Sequence, residues 1–221
     1  VKDPIASHHA NATGTLEVLQ AARRAGDIHV VVASSSSVYG ANRELPKRES
    51  MRTTPISPYA VSKQATEAYA ISFGHTYGLP TLAFRFFNVY GPLQAAGHAY
   101  AAVIPTFVDA ALRGVPLQIH GDGEQTRDFT FVGTVARVLS DAAVRRVSDL
   151  EPVNLAFGSR TSLNSLIGLL SDTLGFEPAV EYTDPRAGDV RDSQADNSRL
   201  KALFPDVEPV TLDRGVEATV E

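Results

Sequence analysis

The chain has 221 residues, 43% of them hydrophobic and 20% charged, with a net charge of −5. It can bury a substantial core in one domain, or in one domain plus a small lobe, and its composition is that of an ordinary globular protein. It has no cysteine, which excludes disulfides, thiolate catalysis and cysteine-based metal sites. It has no basic tract, which argues against a nucleic-acid partner, and no apolar run of membrane-spanning length or visible signal peptide, which makes the cytoplasm the default location. The chain begins at Val1 inside a helical pattern, carries its single methionine at Met51, and stops at Glu221 inside another helical pattern, so it reads as a fragment.

Ile5 to Ala25 reads as a long helix, with Ile5, Ala12, Leu16, Leu19 and Ala22 as its core stripe and Gly26 as its stop. His8 and His9 are adjacent and point in different directions, so they do not form a metal site together. His29 to Ser34 reads as a buried β-branched strand whose edge continues through Ser35, Ser36, Ser37, Val38 and Tyr39 to Gly40. Ala41 to Pro58 is a polar loop. The following helix runs to Tyr77, with Ser57 as N-cap, Pro58 at its first position, and Val61, Ala65, Ala68, Tyr69 and Phe73 as its expected buried face. Gly78 ends it, and Pro80 prevents its resumption.

Thr81 to Asn88 is apolar nearly throughout, as expected of a strand in a parallel sheet covered on both sides. After Gly91-Pro92 come a small-residue loop (Leu93 to Tyr100), a helix (Ala101 to Arg113), a strand (Leu117 to His120) and hairpin-turn chemistry at Gly121-Asp122-Gly123-Glu124. Thr126 to Val132 and Pro152 to Phe157 read as strands, and Gly133 to Val147 and Leu163 to Leu174 as helices. Val180-Glu181-Tyr182 leads into a charged loop, Thr183 to Asp196, that holds Arg186, Asp189 and Arg191.

The strand end at Ser34–Gly40 and the helix start at Ser57–Lys63 carry the chemistry. Strand ends of an open α/β sheet are where ligands sit. Tyr59 and Lys63 lie one turn apart on one helix face, where an ammonium beside a phenol favours loss of the phenolic proton, as a general base requires. Followed in order by Arg85-Phe86-Phe87-Asn88, Val89-Tyr90-Gly91-Pro92, Arg127-Asp128-Phe129 and Pro185-Arg186-Ala187-Gly188-Asp189, and preceded by Asn11-Ala12-Thr13-Gly14-Thr15, these pieces make the chain resemble the extended short-chain dehydrogenase/reductase family. Within it, the chain is most similar to the nucleotide-sugar 4-epimerases of the UDP-hexose 4-epimerase kind.

The resemblance implies an α/β fold: the C-terminal part of a doubly wound, Rossmann-like parallel sheet over 1–92, and a smaller α/β substrate lobe mainly over 93–221, with some segments returning to the sheet. It implies NAD as cofactor, near Asn11, Ser34, Tyr59, Lys63 and Phe86, and catalysis by Ser35, Tyr59 and Lys63. A UDP-hexose or UDP-N-acetylhexosamine would meet Ser35, Ser36, Ser37, Asn88, Arg127, Arg186 and Asp189. Guanidinium forks suit the diphosphate and a carboxylate suits ribose hydroxyls. The complete protein would be a homodimer without metal.

Related dehydratases carry a carboxylate where Ser35-Ser36-Ser37 offers hydroxyls only, so epimerisation at C4 is favoured over elimination. A keto-reductase or dehydratase of the same family, or a non-catalytic truncated sugar-nucleotide-binding relic, is the alternative. No glycine-rich dinucleotide loop occurs from Val1 to Glu221. The strand at Val30 is therefore expected to lack its inner neighbours.

Overall fold

The computed structural model describes residues 3–96, 102–185 and 191–220. In chain order they form α1 (Pro4–His8), a π-helical turn (His9–Thr13), α2 (Gly14–Arg24), β1 (Val30–Ser35), a 3₁₀ turn (Ser36–Tyr39), α3 (Pro58–Tyr77), β2 (Thr81–Phe86) and β3 (Val89–Tyr90). There follow α4 (Val103–Leu112), β4 (Leu117–His120), β5 (Thr126–Arg127), β6 (Thr130–Phe131), α5 (Val132–Arg145), β7 (Val153–Leu155) and β8 (Thr161–Ser162). The chain closes with α6 (Leu163–Leu174), β9 (Val180–Thr183), α7 (Ser198–Leu203) and α8 (Leu212–Val220). No helix among the described residues is long and apolar enough to cross a membrane.

Two compact units divide the chain. The first comprises Val1–Phe87, Ala136–Ala156 and Asp196–Val207, and the second Asn88–Val135, Phe157–Ala195 and Glu208–Glu221.

The first unit is built on a parallel three-stranded sheet in the order β1-β2-β7, with β1 as an outer strand. Parallel pairing follows from β-branched and aromatic strands separated by helices, since a parallel connection needs a crossover. Leu19 and Ala22 of α2, Ala70 and Phe73 of α3, Val32 of β1 and Ala83 of β2 form one apolar cluster. The caps of α3 follow its sequence: Ser57 Oγ accepts from the amide of Ala60 at 3.2 Å, Pro58 opens the helix, and Gly78 ends it in the left-handed conformation at φ +68.

The expected buried face of α3 is corrected. Val61 and Tyr69 are 51% and 37% exposed, while Ser62, Thr66 and Glu67 are buried with Ala60, Ala70, Phe73 and Gly74. This helix turns polar side chains inward because each finds a hydrogen-bond partner there, and burial without partners would be costly. The long first helix is also modified. Ile5 is 70% exposed, and the π-helical turn interrupts the stretch at His9–Thr13, whereas Ala12, Leu19 and Ala22 are buried as expected.

The second unit contains three two-stranded ladders: β3 with β6 and β4 with β9, both parallel, and β5 with β8, antiparallel. The turn after His120 is thus not a hairpin, because β4 pairs with the distant β9. The expected strand from Thr126 to Val132 is split into β5 and β6 around Asp128-Phe129. Tyr90, Ile104, Phe107, Ile119, Leu166 and Val216 belong to one core cluster joining α4, α6 and α8 to these strands.

Candidate active site

In the first unit, the C-terminal end of β1 and the start of α3 come together. Lys63 Nζ donates to the carbonyl oxygen of Ala33 at 2.9 Å, which brings the ammonium to the strand two residues before Ser35. Burial holds the Lys63 amine below the ordinary lysine range. An ammonium has three donors, so two remain for a ligand once Ala33 is served. The same ammonium lies 6.0 Å from the centre of the Tyr59 ring, and the Tyr59 side chain is partly exposed.

Ser35 caps the 3₁₀ turn. Its Oγ accepts from the amide of Ser37 at 3.2 Å, which leaves its hydroxyl hydrogen available to donate. Ser36 and Ser37 follow in that turn, and the buried Ser37 Oγ has no hydrogen-bond partner among the described residues. Phe86 is the register partner of Ser35 on β2, and its ring stands 6.4 Å from that of Phe84. Phe87 is buried in the core.

Asn11 sits on the π-helical turn. Its Nδ2 donates to Ser62 Oγ at 2.9 Å, and Ser62 in turn donates to the carbonyl of Tyr59 at 2.8 Å. Thr66 Oγ1 donates to the backbone carbonyl of Asn11 at 3.0 Å. The widened turn thereby meets α3 at two successive helical turns. A cavity of about 270 Å³ lies beside it, lined by Asn11, Gly14, Thr15, Ala33, Lys63 and Thr66 among others.

Ser34 departs from the expectation that it faces the cofactor. Its side chain is 2% exposed, and its Oγ donates to Glu67 Oε2 at 2.8 Å. Glu67 also receives Arg85 Nε on Oε2 at 2.9 Å and Arg85 Nη2 on Oε1 at 2.6 Å, a bidentate pair. Burial opposes the charge on Arg85, but the hydrogen bonds and charge of Glu67 outweigh it and raise the arginine pKa above its usual value. The Ser34 hydroxyl is thus committed to the interior, because a buried carboxylate needs donors for its lone pairs.

Arg85 also lies 4.8 Å from the centre of the Tyr39 ring, and Tyr39 donates its hydroxyl to Asn154 Oδ1 at 2.7 Å. Asn154 Nδ2 reaches the carbonyl oxygens of Lys47 and Asp196, which anchors the loop between β1 and α3. Sequence reasoning missed Glu67, Arg85 and Asn154. The signal for the pair was present: an arginine inside an otherwise apolar strand must be paired with something.

In the second unit, Asn88 Nδ2 donates to the carbonyl of Asp128 at 3.2 Å, and Arg127 Nη1 donates to the carbonyls of Thr126 and Arg191 at 2.9 and 3.3 Å. Arg160, unnoticed in the sequence, joins them: its Nε meets Thr126 Oγ1 at 3.3 Å and its Nη2 meets Asp192 at 3.1 Å. Arg127, Arg160 and Arg191 therefore gather around Thr126 and Asp192. Arg186 and Asp189 lie outside the described residues.

The hub of this arrangement is Asp128. It is fully buried, and its carboxylate accepts from the amides of Gly158, Ser159 and Ala195 and from Ser159 Oγ, at 2.9 to 3.2 Å. Burial pushes the carboxyl up, and the bonds from Ala195, Ser159 and Gly158 pull it back.

A parallel α/β sheet whose strand end holds a serine hydroxyl beside a Tyr-xxx-Lys helix defines a protein of the short-chain dehydrogenase/reductase class. The model of the NAD dependent epimerase/dehydratase family matches residues 1–156, and the chain belongs to that family. It is 36% identical to the UDP-glucose 4-epimerase of Mycolicibacterium smegmatis, an alignment covering 100% of this chain and 70% of that protein. Its fold matches the UDP-N-acetylglucosamine 4-epimerase from Methanobrevibacter ruminantium in complex with UDP-N-acetylmuramic acid, with a TM-score of 0.93 at 36% identity over 100% of this chain and 70% of that one. The UDP-glucose 4-epimerase of Thermus thermophilus in complex with NAD gives a TM-score of 0.87 at 32% identity, covering 100% of this chain and 71% of that structure.

Replacing Asp128 by asparagine puts an amide donor where neighbouring donors converge. The Asp128→Asn protein is expected to lose about 1–3 kcal/mol of stability, read as a lower denaturant midpoint at unchanged slope. An unchanged midpoint would show that the hub does not hold the loops.

Proposed function

We propose that the protein, with NAD bound, inverts C4 of a uridine diphosphate hexose. The observation that carries this reading is the Lys63–Ala33 bond, which brings Lys63 and its helix neighbour Tyr59 to the strand end where Ser35 keeps a free donor. The family and its UDP-sugar epimerase relatives support the same reaction.

The residues present suit the nicotinamide-ribose end of the dinucleotide. Lys63 retains donors for ribose hydroxyls, Asn11 borders the same cavity, and Phe86 offers an apolar ring at the neighbouring strand end. Bound NAD supplies the acceptance of a hydride from C4 and its return to the opposite face of the resulting 4-keto sugar. Tyr59 takes the proton of the C4 hydroxyl and gives it back. Ser35 donates a hydrogen bond to the same sugar oxygen, and Ser36 and Ser37 neighbour the sugar. The hydroxyl-only turn offers no acid for eliminating water, which favours epimerisation over the dehydratase chemistry also found in the family.

The Tyr59→Phe protein is expected to bind UDP-glucose nearly as the wild type does and to turn over roughly 10²–10⁴-fold more slowly, the usual contribution of a general base. Near-normal epimerisation by this variant would end the assignment.

For the diphosphate and uridine ribose we assign Arg127 and Asn88, together with Arg186 and Asp189 on the sequence resemblance. Arg127→Ala and Arg186→Ala should each weaken UDP binding by about 1.5–3 kcal/mol, the worth of a hydrogen bond to a charged group. Titration calorimetry with UDP measures this, and unchanged affinity would remove the residue from the site.

The homodimer belongs to the same proposal. Tyr69 and Tyr77 of α3 are exposed and, with Leu16 and Ala21 of α2, line a groove of about 650 Å³, surface that a second copy would cover. Sedimentation equilibrium should give twice the chain mass; a monomer at micromolar concentration would refute it.

A further inference from the structure

The first unit contains a buried polar contact that the reaction does not use directly. Ser34 and Arg85 are register partners on the parallel strands β1 and β2. Both reach Glu67 of α3, with the serine and the guanidinium sharing Oε2 and a second guanidinium nitrogen on Oε1. Ser34, Arg85 and Glu67 are 2%, 3% and 5% exposed, so no solvent replaces a lost partner.

Position in the chain gives this contact its meaning. Glu67 lies one helical turn beyond Lys63 and two beyond Tyr59, so the three form one stripe along α3. On β1, Ala33, Ser34 and Ser35 are consecutive. The Ala33 carbonyl receives Lys63, the Ser34 hydroxyl holds Glu67, and the Ser35 hydroxyl is the donor assigned to the sugar. A shift of α3 along β1 would break the bidentate pair at once, because both guanidinium bonds depend on one carboxylate orientation.

We propose that Glu67, clamped by Arg85 and Ser34, is the positioning residue that sets the register of α3 against β1 and so holds Lys63 and Tyr59 opposite Ser35. This rests on the epimerase reading above only for its catalytic readout.

Two variants test it in the full-length, NAD-bound protein. Ser34→Ala removes one arm of the clamp. The paired replacement Glu67→Leu/Arg85→Met removes the clamp without leaving a buried unpaired charge, so that folding is retained. Because a misplacement of about 1 Å can cost roughly 100-fold in rate, kcat should fall between about 10- and 100-fold in both, with KM for UDP-glucose within about twofold of wild type.

A second measurement needs no turnover. After reductive methylation with labelled carbon, the Lys63 resonance is assigned by its loss in Lys63→Arg. It should titrate at higher pH in both variants, because the burial that holds this amine low is relieved. Should the paired variant fail to fold, Ser34→Ala decides the matter alone. Folded variants with wild-type kcat and an unmoved Lys63 titration would overturn the proposal, as would a rise in KM with kcat intact. A wild type that does not epimerise, with the Lys63 titration still displaced in the variants, would remove the reaction and support the clamp.

Discussion

The first unit depends on one carboxylate. Glu67 is buried, and every donor that satisfies it comes from a strand of the sheet below: Ser34 from β1 and Arg85 from β2. A charge in that position is tolerable only while paired, since removing one partner of a buried ion pair typically costs about 3–5 kcal/mol. The same guanidinium faces the Tyr39 ring and donates to the carbonyl of Glu49, while the Tyr39 hydroxyl engages Asn154 on β7. Burial raises the pKa of the Tyr39 phenol, which keeps it in the protonated form that can donate to Asn154. One continuous chain of polar contacts thus links α3, all three strands and the loop after β1.

That chain explains why α3 buries hydroxyls and a carboxylate while Val61 and Tyr69 stay exposed. Apolar packing is non-directional and would tolerate small slides of the helix along the sheet. Hydrogen bonds are not tolerant in that way: they weaken steeply once distance or angle is lost. A helix that begins with Tyr59 and Lys63 gains a defined register from partners at Ala33, Ser34 and Asn11. The π-helical turn at His9–Thr13 belongs to the same logic, because the residues it holds reach Ser62 and Thr66. Such turns recur at functional sites for their capacity to redirect backbone and side chains.

The local signals were legible in the sequence because they are short-range. Ser57, Pro58 and Gly78 bound α3 as their cap chemistry dictates, and the β-branched run from Val30 and the apolar run from Thr81 pair in parallel. The ordered motifs also identified the family. What escaped was long-range. Nothing near Glu67 in sequence says that its partners are 33 and 18 positions away. The turn after His120 has hairpin residues, but β4 pairs with β9, some 63 residues on, and turn chemistry is blind to that choice. The interruption at Asp128 was equally hidden, since its partners at Gly158, Ser159 and Ala195 are remote. Yet Arg85 has a readable property: it is a charge set between Phe84 and Phe86, and such a residue implies a partner before the partner is known.

The two units solve the same physical problem with different donors. Glu67 is met by a guanidinium and a hydroxyl, Asp128 by three backbone amides and a hydroxyl. In each case a buried anchor sits immediately beside a residue assigned to the ligand: Ser34 before Ser35, and Asp128 after Arg127. On β1 successive side chains point to opposite sides, so anchoring Ser34 inward fixes where Ser35 is presented. Ser35 and Arg127 each also keep contacts of their own: Ser35 accepts from the amide of Ser37, and Arg127 donates to the carbonyls of Thr126 and Arg191. The adjacent residue carries the cost of burial and the bonds that offset it. In the first unit the arrangement leaves the hydrogen of the Ser35 hydroxyl available to donate. The inward bond from Ser34 to Glu67 is thus what turns Ser35 to the opposite side of the strand.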